Sequence, residues 1–265
     1  MVSDRTAADR GGKLIPAKEA QKLKTRKSIL FLTILLLAAG AALLFSRPPQ
    51  PNIVSWYVCD IDGDSREELL LITAASADLR LDTGEEYGDT LAVYDFYKIR
   101  KNRPVVQGEP EAVFDLASIK PLKVLAGDID GDGRVEIGVC VYKTAKFHPV
   151  PAKRPFFYAL QDGRLQPVWL GSRLARPFAD YRLFDLDGDG VDEIVSIESV
   201  QSGNQLLALY DWKGFGFEVQ AISDEYQGEI VFLNNTNTRQ DEILVNIEGT
   251  QHSLRLEGDT LTAEQ

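Results

Sequence analysis

The chain is poor in the residues that most often mark chemistry. Its 265 residues contain two cysteines, Cys59 and Cys140, and two histidines, His148 and His252. There is no CxxC, and two cysteines make no disulfide framework. They read as two separate buried thiols, because cysteine is commonly a core residue. A bridge between stacked repeats is the alternative. Neither histidine has a ligand or nucleophile partner at a telling spacing. Phosphate-cradling glycine loops, GxSxG elbows and HExxH helices are absent. After residue 52 no amphipathic helix is evident either; short apolar stretches are broken by Gly, Asp and Asn. The sequence signatures of the usual nucleophilic, nucleotide-binding and zinc-hydrolase sites are therefore missing.

Positive charge is concentrated at one end. Residues 1–27 hold eight Lys/Arg against three acids, a net +5, which leaves −16 of the overall −11 to the other 238. So acidic a domain repels nucleic-acid phosphates, so no nucleic-acid partner is expected; it suits cations or basic partners. One long apolar run occurs, ILFLTILLLAAGAALLF over 29–45, preceded by Lys24, Arg26 and Lys27. It predicts a transmembrane signal anchor over 28–46, with 1–27 as a basic cytoplasmic tail. A cleaved signal peptide is the alternative, since Ala39-Gly40-Ala41 resembles a cleavage site. Residues 47–52 then form a stiff proline-rich linker, and 53–265 an extracytoplasmic domain. The expected localisation is the cell membrane, single-pass, with the N-terminus cytoplasmic and the membrane itself a partner.

The acidity comes largely from one loop written three times: DIDGDSREE from Asp60, DIDGDGRVE from Asp128 and DLDGDGVDE from Asp185. Carboxylates stand at its first, third, fifth and ninth places. Calcium takes six to eight oxygens, and such a loop supplies them compactly. The candidate ligands are Asp60, Asp62, Asp64, the Arg66 backbone carbonyl and Glu68; Asp128, Asp130, Asp132, the Arg134 carbonyl and Glu136; and Asp185, Asp187, Asp189, the Val191 carbonyl and Glu193. Carboxylates at this spacing repel one another without a cation. Two or three structural Ca2+ sites are expected. Gly131 and Gly133 permit the tight curl; Ser65 replaces the second glycine in the first loop and predicts strain there. The loop is not an EF-hand: the twelfth place, where that motif needs Glu, holds Leu71, Val139 and Ser196.

Each loop lies between candidate strands, 53–59 and 69–73, 122–126 and 137–142, 181–184 and 194–197. Further strands follow, with LAVYDF at 91–96 echoed by LALYDW at 207–212. A degenerate fourth copy, NNTNTRQDE from Asn234, keeps only Glu242 acidic at the ninth place. Loop starts are spaced by 68, 57 and 49 residues, which suits four-stranded units with insertions. The expected fold is all-β, a β-propeller-like array of about four four-stranded repeats preceded by one N-terminal transmembrane helix, closed or as an open arc. Trp56, Trp169 and Trp212 are expected to pack between repeats. The insertions at 76–90 and 143–154 are candidates for specificity, and the second, KTAKFHPVPAKR, is a basic loop in an acidic domain.

Residues 126–137 (AGDIDGDGRVEI) and 184–194 (FDLDGDGVDEI) resemble the FG-GAP and VCBS-type repeat proteins, whose β-propeller repeats also occur in integrin α heads. The resemblance spans roughly 53–261. It implies a propeller with Asp128, Asp130, Asp132 and Glu136, and the same set in the third unit, as calcium ligands on its rim. Together with the anchor, it implies a membrane-anchored, calcium-binding extracytoplasmic module for interaction, adhesion or assembly, with a protein or cell-envelope polymer as its ligand. A hydrolase or enzyme-associated domain acting on a cell-envelope polymer is the alternative. With no active-site constellation in the sequence, binding is favoured over catalysis.

Overall fold

In the computed structural model the described residues are 51–265 except 172, 234–236 and 240, together with Ala7, Ala8, Leu14, Ile15, Ile29 and Thr33. The chain divides into two units, Met1–Pro49 and Gln50–Gln265. In the first, β1 (Ala7–Ala8) pairs antiparallel with β2 (Leu14–Ile15), and the Thr33 hydroxyl donates to the Ile29 carbonyl at 2.8 Å.

The expected transmembrane helix is not borne out. Among the described residues no helix is long and apolar enough to cross a membrane. The physical margin was narrow: a 17-residue run, polar only at Thr33, would make a helix of about 26 Å, short of a hydrocarbon core of about 30 Å. The single-pass topology, the cell-membrane localisation, the membrane as a partner and the anchored extracytoplasmic role all rested on that helix and are withdrawn with it. The basic tail, the remainder of 28–46 and residues 47–50 lie outside the described residues.

The second unit is all-β. Strands β3 (Asn52–Cys59), β4 (Glu68–Ala74) and β5 (Thr90–Tyr94) pair in sequence order, a hairpin of β6 (Tyr97–Arg100) and β7 (Arg103–Val106) intervenes, and β8 (Ala112–Asp115) returns to pair with β5. A 3-10 turn at Ala117–Ile119 leads to the second sheet, a meander of β9 (Pro121–Gly127), β10 (Glu136–Ala145), β11 (His148–Gln161) and β12 (Arg164–Leu170). The third repeat is β13 (Phe178–Phe184), β14 (Glu193–Ser199), β15 (Gln205–Trp212) and β16 (Phe217–Ile222); the fourth is β17 (Ile230–Phe232), β18 (Leu244–Ile247), β19 (Thr250–Glu257) and β20 (Thr260–Glu264).

The propeller-like array, left open as a closed ring or an arc, is corrected as well: the described residues form no closed propeller. β16 and β20 hydrogen-bond edge to edge, in parallel, at Ile222↔Thr260, so the third and fourth repeats run together as one half-open sheet of eight strands. Propeller blades meet by their faces; here two outer edges satisfy each other instead, which is one way to cover an exposed edge. Among the described residues no strand of the fourth repeat pairs with the first. The ends of the array meet through the Val58 N–H, which donates to the Asn237 carbonyl at 2.8 Å.

Strand pleat explains how the repeats stack. Ile194, Leu206, Ala208 and Tyr210 of the third repeat belong to the core shared with the first and second repeats. Val195, Ile197, Leu207 and Leu209, at the alternate positions of the same strands, belong to the core shared with the fourth. Alternate side chains point to opposite faces, so one sheet seals two cores. β4 (ELLLITA) and β14 (EIVSIES) are covered on both faces, which is why they read as continuous apolar runs.

The basic segment at 143–154 is another correction: it is not a loop but the distal half of the β10–β11 hairpin. Pro149 and Pro151 are tolerated because pairing with β12 begins only at Phe156↔Leu170, leaving the outer side of 148–155 without a ladder. Cys59 and Cys140 are free thiols. Trp169 and Trp212 pack with Phe217, which also touches Phe157, between the second and third repeats.

Candidate metal centres

The three acidic loops adopt one backbone design. In each, the first-place aspartate accepts two main-chain N–H bonds, and Asp128 shows the pattern: Gly131 N–H donates to Oδ1 at 2.8 Å and Gly133 N–H to Oδ2 at 2.9 Å. Asp60 takes the N–H groups of Gly63 and Ser65, and Asp185 those of Gly188 and Gly190. The third-place Asp62, Asp130 and Asp187 accept from the fifth residue, and the fifth-place Asp64, Asp132 and Asp189 from the seventh. The ninth-place Glu68, Glu136 and Glu193 reach back to the N–H of Ile61, Ile129 and Leu186 at 3.0, 3.1 and 2.7 Å. The curl needs positive φ at the fourth and sixth places. Glycine supplies it except at Ser65, which is held at φ 68.

This folding brings the carboxylates together, and the copies differ. In the third loop Asp185, Asp187, Asp189 and Glu193 each offer an oxygen within 4.8 Å of all the others. In the first and second only Asp60, Asp62 and Glu68, and Asp128, Asp130 and Glu136, converge in this way. The cause is the seventh residue. Arg66 Nε donates to Asp64 Oδ2 at 2.8 Å and Arg134 Nε to Asp132 Oδ2 at 2.9 Å, with Nη2 adding a second bond in each. Val191 has no such group. The sequence offered these arginines only as carbonyl donors; their guanidinium groups act as built-in counter-ions.

Electrostatics follow the same division. The arginine bonds hold the Asp64 and Asp132 carboxyls below their ordinary range. The ninth-place glutamates move the other way. Burial, reinforced by the neighbouring aspartates and opposed by the main-chain N–H, raises Glu68, pushes Glu136 up to about 7 and Glu193 up to about 8. Each cluster thus has a buried carboxyl whose proton is held more tightly than usual, and which a nearby positive charge would release more easily.

Other residues complete the surroundings. A groove of about 400 Å3 between the first and second loops is lined by Asp60, Asp62, Arg134, Glu136 and Gln161. A smaller one of about 140 Å3 between the second and third is lined by Asp130, Asp189, Asp192, Glu193, Asp211 and Lys213. Gln220 Nε2 donates to Asp187 Oδ2 at 3.3 Å, while its Oε1 is shut off from solvent with no hydrogen-bond partner among the described residues. Gln220 and Asp192 carried no sequence signal. Asp211 did: it ends the repeated Tyr-Asp of 94–95 and 210–211. In the fourth copy Asn234, Asn235, Thr236 and Gln240 lie outside the described residues, but Arg239 reaches Asp192 Oδ2 of the third loop at 3.0 Å.

The chain matches no protein-family model, and no curated protein matches it. The functional reading therefore stands on these loops.

Proposed function

We propose that residues 50–265 form a calcium-binding β-repeat domain in which the cation is part of the fold. The observation that carries this reading is the third loop. Four carboxylates converge within 4.8 Å, and nothing on its seventh residue neutralises them. Calcium fits this donor set better than magnesium, which prefers six near-octahedral ligands and keeps several waters. The second and first loops have the same backbone and fewer converging oxygens, and would bind after their arginines swing aside. The resemblance of 126–137 and 184–194 to FG-GAP and VCBS-type repeats supports the same assignment. On this reading the bound ion pins the start of β14 to the end of β13, and likewise at β9–β10 and β3–β4, so binding stabilises the native state by mass action.

The test is a calcium titration of metal-stripped protein, following heat and melting temperature. Two to three sites with a rise in melting temperature are expected. Equal response to magnesium and calcium, or no heat at millimolar calcium, would overturn the proposal.

A further inference from the structure

The second and third loops are physically joined. Asp192, the eighth residue of the third loop, lies against Gly127 and Asp128 at the opening of the second. The Asp192 N–H donates to the Asp128 carbonyl at 2.7 Å, and the Asp128 N–H donates back to Asp192 Oδ2 at 3.0 Å. Two residues 64 apart thus close a ring of two hydrogen bonds. Gly127 makes room for it: a Cβ there would stand 2.5 Å from Asp192 Oδ2. Asp192 is 3% exposed, and Arg239 of the fourth loop supplies its counter-charge. The first loop has exposed Glu67 at the eighth place, and among the described residues no hydrogen bond ties it to another loop.

These contacts fall on ligand positions. Asp128 is the first-place carboxylate of the second loop. Asp192 stands between Val191 and Glu193, two donors of the third. An ion that gathers Glu193 and the Val191 carbonyl fixes the backbone of 191–193. That same stretch presents the N–H and the carboxylate that hold Asp128.

Resting on the calcium reading above, we infer that the second and third sites bind calcium with positive coupling through Asp192, while the first binds independently. The first ion bears the cost of ordering 191–193 and Asp128; the second finds them ordered. Mutual repulsion of the two ions is offset by the Asp211 carboxylate, which lines the groove between the loops. Asp192 is a positioning residue: it holds the ligand backbone rather than the ion. By linkage the coupling is reciprocal.

The experiment is a calcium chloride titration of the full-length chain by 1H–15N NMR, with the amides of Gly63, Gly131 and Gly188 reporting the three loops separately. The double variant Asp187→Asn/Asp189→Asn, which disables the third loop, should raise the calcium midpoint at Gly131 at least about fivefold and leave Gly63 in place. Asp130→Asn should weaken the Gly188 response by the same factor. In Asp192→Ala the Gly131 midpoint should no longer depend on the third loop, with Gly63 again serving as the internal control. If that variant does not fold, the two ligand variants still decide the matter. Calcium responses at all three glycines of the unmutated protein, with a Gly131 midpoint unchanged in Asp187→Asn/Asp189→Asn, would overturn the coupling and leave calcium binding intact. No response at any of the three in the unmutated protein would overturn both.

Discussion

Raising the pH of the calcium-free protein from about 5 to about 8 should remove on the order of 3 kcal/mol of folding stability through Glu193 alone. Its side chain is 3% exposed, and burial beside Asp187, Asp211 and Asp185 pushes it from 4.5 up to about 8. Between those two values the folded chain keeps a proton that the unfolded chain has released. Stability therefore declines as pH rises through that window and is level below it. Glu136, pushed up to about 7, and Glu68 act in the same direction. Two other perturbed groups act outside the window. Asp180 is held at about 2 by Lys123 and Arg182 despite its burial, so its contribution is lost only in acid; Lys123, lowered by burial to about 8, favours the fold as pH rises beyond that.

Glu193→Gln isolates the effect. The amide removes the titration but keeps an oxygen for the Leu186 N–H, a 2.7 Å bond in the native loop. In chelator, urea midpoints of the wild type should fall from about pH 5 to about pH 8, while those of the variant fall less. The variant should be the more stable of the two at the alkaline end and the weaker calcium binder. Calcium needs the ionised carboxylate, so at about pH 6 its binding should expel close to one proton per third loop. That number is read from binding heats in two buffers of different ionisation enthalpy. A wild-type stability that stays flat or rises across the window, or calcium uptake with no proton release, would refute a buried, proton-bearing Glu193.

Arg134→Val copies the third loop into the second and releases Asp132; the calcium midpoint at the Gly131 amide should tighten severalfold, on the order of five, and no change would mean the arginine does not compete. Ser65→Gly relieves the left-handed backbone of the first loop, where φ is 68. It should raise the calcium-free stability by about 1 kcal/mol, seen as a melting temperature about 3 °C higher. Tyr181 is fully buried with a hydroxyl that has no hydrogen-bond partner among the described residues. Tyr181→Phe should therefore stabilise the domain by about 1 kcal/mol in urea denaturation, and a loss of stability would show the oxygen to be bonded.

What the sequence made legible was whatever the chain states within a few neighbouring residues. The acidic loop is closed by its own atoms: each aspartate caps an N–H two, three or five residues on, and the ninth-place glutamate caps the second residue. Its ligand spacing and its glycines were therefore written locally and repeated three times. The strands flanking it followed from the same frame. Contacts between repeats left no such trace. The 64 residues separating Asp128 from Asp192, and the 47 separating Asp192 from Arg239, have no period, and an aspartate at the eighth place looked like one more surface acid. The edge pairing of β16 with β20 rests on the single pair Ile222↔Thr260, which no hydrophobic pattern announces. The arginines at the seventh place were visible, but side-chain direction was not, so their role as counter-ions to Asp64 and Asp132 was missed.

The fourth loop shows why that matters. By composition it is a failed copy, with Asn234, Thr236 and Thr238 where the others carry aspartates. In space its arginine meets the Asp192 carboxylate, whose pKa burial still raises although the guanidinium opposes it. Arg66 and Arg134 neutralise carboxylates inside their own loops; Arg239 does so for the loop next door. A guanidinium from the fourth repeat thus stands at the junction of the second and third, paired with the one acid of the third loop that is not among its proposed ligands.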